Sequence, residues 1–344
     1  MSTSTSIPAI EAVGLRRSYG DHLVLDGLDL HVKTGTIFAL LGPNGAGKTT
    51  VVNILSTLIG ADAGEIRVAG HDVAREPDLV RAAIGVTGQF SAVDGLLTGE
   101  ENLRMMAKLR HLDKRDIRTR VPQLLEQFDL VDAAKKPVAT YSGGMKRRLD
   151  LAMTLVGEPR IIFLDEPTTG LDPRSRRTMW QIIRTLVAGG VTILLTTQYL
   201  DEADQLADRI GVLDNGKLIA EGTAAELKRQ VPGGHISLRF AVPVGLDAAA
   251  QVFTGSVRDE EALTLQVPSD GGVQSLRTLL DRLERESIDV AELTVHTPDL
   301  DDVFLALTGQ PHEEYPNGAQ PDKQQADKQQ ADKQQADKTR ETVR

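Results

Sequence analysis

The sequence predicts an α/β protein with a parallel-core sheet, then a small α+β domain and a low-complexity tail. Three observations carry this. The apolar run 36–41 leads through a glycine-rich turn into a helical pattern, Thr50 to Leu55. A second apolar run, Ile161 to Leu164, ends on Asp165-Glu166-Pro167, and a third runs from Val191 to Thr197. From about residue 235 to 309, short alternating runs and amphipathic stretches follow one another in the order β-α-β-β-α-β.

The opening segments Ile10-Glu11-Ala12-Val13 and Leu23 to Leu30 alternate as half-buried antiparallel strands do. Tyr19 falls in a short turn-like stretch. The run Gly42-Pro43-Asn44-Gly45-Ala46-Gly47-Lys48-Thr49-Thr50 has the form G-x-x-x-x-G-K-[ST]. A strand before it and a helix after it are the context of a phosphate-binding P-loop. Glycines let backbone N–H groups curl around phosphate oxygens, and the helix aims its N-terminal partial charge at them. Lys48 is expected to reach the β and γ phosphates and the Thr49 hydroxyl to hold Mg²⁺. Kinases, GTPases, helicases and transport motors all carry such a loop, so this run does not choose among them.

Glu100 to Ala107 and Val121 to Phe128 read as helices in a mostly helical stretch, 94–134. Met105 and Met106 there are core or groove packing. Next, Tyr141-Ser142-Gly143-Gly144-Met145 precedes the helix Lys146 to Met153. Ser142 is a good N-cap, and two glycines permit close approach to a polyanion. Lys146-Arg147-Arg148 is the one dense basic cluster; it reads as a solvated helix face, with electrostatic help at a nucleotide interface as the alternative. On the strand ending in two acids, Asp165 is placed to hold Mg²⁺ through water and Glu166 to orient the attacking water. Gly170-Leu171-Asp172 follows. The hairpin Arg209 to Leu213, Asn215-Gly216, Lys217 to Ala220 has the favoured Asn-Gly turn.

This order of motifs resembles the ATP-binding cassette (ABC) ATPases, over roughly residues 10–227. The resemblance implies ATP and Mg²⁺ as cofactors and a homodimer that sandwiches two ATP, each between the P-loop of one copy and the Ser142-Gly143-Gly144 helix of the other. It implies an adenine-stacking Tyr19 and a Gln89 that senses Mg²⁺ and the γ-phosphate beside the membrane partner. Asp172 matches the residue that crosses the dimer interface. After the third strand most of the family has a histidine contacting the γ-phosphate; here it is Gln198, which donates a hydrogen bond but carries no charge. Two outcomes stay open: slow hydrolysis, or a cycle that needs only positioning. With Glu166 retained, an active ATPase is expected.

Gly85 to Gln89, Thr197 to Asp204 and Asp301 to Gly309 look like the daunorubicin/doxorubicin resistance ATPases, energising subunits of bacterial exporters. That implies a separate membrane-spanning permease and efflux of a hydrophobic drug or polyketide, with lipid or another natural product as the alternative cargo. A soluble ABC machine acting on ribosomes or DNA is disfavoured by the single cassette and by the lack of a coiled-coil insertion. A low-turnover regulatory switch is the remaining class.

Composition agrees. The 344 residues, 40% hydrophobic, suffice for one large domain and a smaller one. The net charge of −10 argues against a broad nucleic-acid-binding surface. No run approaches the roughly 20 apolar residues of a membrane span. The polar start, Met1 to Ser6, does not read as a signal peptide, and cysteine is absent. The chain is therefore expected at the cytoplasmic side of the cell membrane, docked peripherally. Its expected parts are a cassette, 1–230, an accessory ferredoxin-like domain, 235–309, and a disordered tail, 311–344. The accessory domain shows no chemistry; His235 and His296 are read as structural, and a last amphipathic helix is expected from Leu300 to Leu307. The tail repeats Asp-Lys-Gln-Gln-Ala from Asp322 to Ala336, with little to bury.

Overall fold

The computed structural model describes residues 8–88, 92–230, 234–270, 272–296 and 298–309. All lie in one compact unit; the remaining unit, His312–Arg344, lies outside the described residues, and with it the expectation for the tail.

The chain opens with the hairpin β1 (Ile10–Tyr19) and β2 (His22–Val32), then β3 (Ile37–Leu41), α1 (Lys48–Leu55), β4 (Ala63–Val68), β5 (His71–Asp72), α2 (Pro77–Ala83) and β6 (Ile84–Thr87). Helices α3 (Gly99–Leu109), α4 (Lys114–Gln127) and α5 (Gly143–Thr154) precede β7 (Ile161–Asp165). Then come α6 (Pro173–Ala188), β8 (Thr192–Thr197), α7 (Leu200–Leu206), the hairpin β9 (Arg209–Asp214) and β10 (Lys217–Gly222), and α8 (Ala224–Gln230). Tyr19 is thus the last residue of β1, opposite His22, not part of a turn ahead of the strands. The β period continues through Leu15 and Arg17, although bulges interrupt the pairing with β2.

The central sheet has the order β10-β9-β3-β8-β7-β6, parallel except for β10. Parallel strands buried on both faces read as continuous apolar runs, and all five residues of β3 and of β7 are buried. Strand alternation sorts them: Ile37, Ala39 and Leu41 join one core with Ile162 and Leu164, while Phe38 and Leu40 join another with Phe163. Each of these fully buried side chains other than Ala39 contributes about 1.5–3 kcal/mol. The second core is closed by α1 and the antiparallel sheet β2-β1-β4-β5. The first is closed by helices, among them α3, whose Thr98 N-cap forms a capping box with Glu101. The five parallel strands therefore end side by side at one end of the sheet, where the following loops carry the candidate site residues.

The C-terminal segment forms β11 (His235–Arg239), α9 (Pro243–Val252), β12 (Val257–Asp259), β13 (Thr264–Pro268), α10 (Val273–Arg285) and β14 (Glu292–His296). Its all-antiparallel sheet has the order β12-β13-β11-β14, the ferredoxin-like arrangement expected, with its own core around Leu238, Leu246, Leu265 and Leu283. The last helix, α11 (Leu300–Thr308), behaves differently. Its Leu300, Val303 and Phe304 enter the first core, and it packs on α7 and α8. The rings of His235 and His296 lie 4.7 Å apart, and His296 Nε2 is 3.2 Å from Asp302 Oδ2 on α11. No helix among the described residues is long and apolar enough to cross a membrane.

Candidate functional site

The P-loop turn follows β3 and caps α1 from Gly47, whose φ of +106° belongs to the region that favours glycine. A Cβ there would also stand 2.8 Å from Leu25 Cδ2. The turn is braced from behind: Ala46 N–H donates to Pro43 O at 3.2 Å, and Gly216, in the β9–β10 turn, donates to Ala46 O at 3.3 Å. Asn44, Gly45 and Thr49 face outward and Thr50 is half-buried, so the loop keeps one open side.

Lys48 is buried; its Nζ donates to Gly42 O at 2.7 Å and Pro43 O at 3.1 Å. Glu166 Oε1 stands 4.0 Å from the ammonium. Burial lowers the Lys48 pKa, opposed by the charges of Glu166 and Asp165. Thr49 Oγ1 donates to Asp165 Oδ2 at 3.0 Å. Asp165 is itself buried, and Thr196 Oγ1 donates to its other oxygen. A carboxylate and a hydroxyl side by side are two hard oxygen donors. Among the described residues no cluster of three His, Cys, Asp or Glu forms a closed metal cage. That donor set fits a Mg²⁺ ion completed by phosphate and water, not an all-protein site.

Glu166 follows β7 with φ +49°, a left-handed conformation unusual for a long side chain. Its N–H is held by Thr196 O at 3.1 Å and Thr196 Oγ1 at 3.2 Å, and Thr169 Oγ1 donates to its Oε2 at 3.2 Å. The structure thus gathers Lys48, Thr49, Asp165 and Glu166 into one cluster.

Ser142 caps α5, accepting from Met145 N at 3.3 Å, and it is exposed together with Gly143. Gly144 is buried; a Cβ there would stand 2.5 Å from Ser175 Oγ and 2.9 Å from Ser175 Cβ. Ser175 is in turn held by Asp172, the N-cap of α6, which accepts from Arg174 N and Ser175 N at 3.0 Å each. The Ser175 hydroxyl bond, then its amide, lowers the Asp172 pKa. Asp172 and the Ser142-Gly143-Gly144 turn therefore adjoin through Ser175. Gln198 directly follows β8, half-buried, one strand over from Asp165. Tyr19 stands apart, half exposed, with the Arg17 guanidinium 4.9 Å over its ring. Gln89 lies outside the described residues.

Two of the three cations of the basic cluster are not on a solvated helix face. Arg148 Nη1 donates to Phe128 O at 2.9 Å and pairs with Asp129 Oδ2 at 3.0 Å. The Arg147 side chain is only 11% exposed. Its nitrogens reach the carbonyls of Gly88, Asp165, Glu166 and Pro167, and Asp150 Oδ2 lies 3.5 Å away. Burial lowers the Arg147 pKa, opposed first by Asp150, and raises that of Asp150, opposed first by Arg147. Tertiary carbonyls, invisible in local sequence, draw these cations inward.

One more buried acid escaped sequence reading. Glu202 on α7 is fully buried, and its Oε1 accepts from Thr168 Oγ1 at 2.8 Å and Trp180 Nε1 at 3.1 Å. Burial raises its pKa, opposed by hydrogen bonds from Thr197, Thr168 and Trp180 and by Arg176. Arg176 also pairs with Asp201 and lies 5.3 Å over Trp180 and 5.0 Å over Tyr199. This network joins the Thr168 loop to the segment after Gln198. In the sequence Glu202 was one acid among Asp201, Glu202 and Asp204, with nothing to single it out.

The ABC transporter family model matches residues 25–169. The daunorubicin resistance ATP-binding protein DrrA3 of Streptomyces coeruleorubidus is 51% identical over 303 residues, 88% of this chain and 96% of that one. The daunorubicin/doxorubicin resistance ATP-binding protein DrrA of Streptomyces peucetius is 47% identical over 311 residues, 89% and 94% of the two chains. Among solved structures, an ATP-binding subunit of an ABC transporter superposes with a TM-score of 0.59 at 31% identity, covering 64% of this chain and 92% of that one. A P-loop cluster carried on this fold, with relatives spanning nearly the whole chain, establishes that the protein belongs to the ABC transporter family as an ATP-binding, ATP-hydrolysing subunit, in the group of the daunorubicin/doxorubicin resistance ATP-binding proteins.

Proposed function

We propose that this chain powers export of a hydrophobic natural product of the anthracycline or polyketide kind through a separate membrane-spanning subunit, working as a homodimer on the cytoplasmic face. The observation that carries the motor is the cluster in which Lys48 Nζ stands 4.0 Å from Glu166 Oε1 and Thr49 Oγ1 3.0 Å from Asp165. The cargo class rests on the resistance proteins that match 88–89% of the chain.

In this reading the backbone N–H groups of the Gly42–Thr50 loop, Pro43 excepted, cradle the phosphates, and Lys48 exchanges its two carbonyl partners for β- and γ-phosphate oxygens. Thr49, Asp165 through water, and Gln89 would hold Mg²⁺, which would neutralise phosphate charge when bound. Glu166 accepts a hydrogen bond from the attacking water and sets its direction. Gln198 donates an amide N–H towards the γ-phosphate. Tyr19 stacks on adenine. The exposed Ser142-Gly143 turn and Asp172 complete the site of the second copy, so ATP closes the dimer and hydrolysis loosens it.

The test is ATP-dependent doxorubicin accumulation in inside-out vesicles carrying this chain and its membrane subunit, with Glu166→Gln as control. Uptake abolished by the substitution is expected. No uptake despite intact ATPase activity would overturn the anthracycline cargo and leave the motor standing.

A further inference from the structure

Arg147 occupies α5 five positions beyond Ser142 and turns away from solvent. Its Nε donates to Pro167 O at 2.9 Å, Nη1 to Gly88 O at 2.8 Å, and Nη2 to Asp165 O at 3.0 Å and Glu166 O at 3.2 Å. One guanidinium thus collects carbonyls from two segments. Three of them are consecutive, and they enclose the residue whose φ is +49°.

A non-glycine residue holds a left-handed backbone only where its surroundings over-determine it. At Glu166 they do so from both sides. Thr196 holds the N–H, and Arg147 holds the C=O together with the carbonyls on either flank. The planar fork of five donors is what lets one side chain do this; a lysine ammonium, a point donor on a flexible stem, does not span the same acceptors. Asp150, three residues on along the same helix, supplies the compensating charge. Gly88 O extends the hold to the end of β6, immediately before Gln89 in sequence.

We propose that Arg147 is a positioning residue for hydrolysis: from the chain's own α5 it holds the Asp165–Pro167 turn, and so aims the Glu166 carboxylate. The proposal rests on reading Glu166 as the group that orients water. It makes α5 a lever, since displacing the helix that carries Ser142, Gly143 and Gly144 displaces the turn behind Glu166. The two faces of α5 would then serve two sites: its N-terminal turn the nucleotide of the other copy, and Arg147 the hydrolytic turn of its own chain.

The experiment uses the full-length chain with Arg147→Lys, which keeps a cation beside Asp150, and Arg147→Gln paired with Asp150→Asn, which removes both charges together. Steady-state kcat and KM for ATP, affinity for a fluorescent ATP analogue and the melting temperature are measured. Misaiming a catalytic group by about an ångström costs about 100-fold, so kcat should fall about 10- to 100-fold in both variants while KM and analogue affinity stay within about twofold. Parental kcat in Arg147→Lys would overturn the proposal. So would a fall in kcat matched by a fall in affinity, the mark of a merely structural residue. Glu166→Gln separates the two levels: if it turns over at the parental rate, the reading of Glu166 fails, whereas an inactive Glu166→Gln beside a fully active Arg147→Lys defeats the Arg147 proposal alone.

Discussion

Gln198 and Glu202 stand four positions apart, the first in the bend after β8 and the second inside α7, and they carry opposite demands. Gln198 follows β8 and puts a neutral amide where a histidine would bring a charge. If its part is to donate a hydrogen bond to the γ-phosphate, Gln198→Ala should lower kcat about tenfold or more with the fold intact. An alanine variant as fast as the parent would remove Gln198 from the mechanism. Glu202 is buried, and burial raises its pKa above the ordinary glutamate range. The folded chain therefore binds that proton more tightly than the unfolded chain does. The stability it brings is complete below the ordinary glutamate range and is lost as pH rises through the folded-state value. Glu202→Gln abolishes this titration, so between about pH 5 and about pH 8 the parent should lose more melting temperature than the variant. Parallel pH profiles would show that Glu202 does not titrate in that window.

Helix α5 shows how neighbouring glycines divide their work. A Cβ on Gly144 meets Ser175 Oγ at 2.5 Å and Ser175 Cβ at 2.9 Å, so α5 and α6 must part. At Gly143 the nearest atom beyond its chain neighbours is Leu171 Cδ2, at 4.0 Å. Gly144→Ala should cost about 1–3 kcal/mol by denaturant unfolding, as overpacked sites do. Gly143→Ala should fold as the parent; if the second copy's nucleotide packs on this turn, as proposed, the added methyl group should also abolish the ATP-driven dimer. Equal stability losses in the two would show that neither glycine is set aside for a ligand.

Across the molecule, α11 ties the C-terminal segment to the first core. Phe304 is 3% exposed there, although its helix follows a ferredoxin-like unit with a core of its own. Phe304→Ala should lower stability by about 3–5 kcal/mol; a loss under about 1 kcal/mol would mean that α11 is only loosely docked. Assembly is the other property of this scale. If Glu166 orients the attacking water and hydrolysis loosens a two-copy clamp, as proposed, ATP should convert Glu166→Gln to a stable dimer on size-exclusion chromatography. A strict monomer in ATP would count against two copies sharing their nucleotides.

The P-loop, the Ser142 turn, the acid pair ending β7 and the Asn215-Gly216 hairpin were legible because each is a local demand. A left-handed turn, an N-cap and a buried parallel strand leave their marks within ten residues of sequence. The ferredoxin-like order was legible for the same reason, through its periodicity. Arg147 was not, for Gly88 lies 59 residues away in sequence and the other acceptors are backbone carbonyls, which every residue type carries. Glu202 and α11 share that obscurity: an acid beside other acids and an amphipathic helix look alike whether they meet water or a core. Local chemistry, then, was written in the order of residues. Which cation turns inward, which acid is buried and which core the last helix joins were decided only when distant segments packed, because burial is a property of the surroundings and not of the residue.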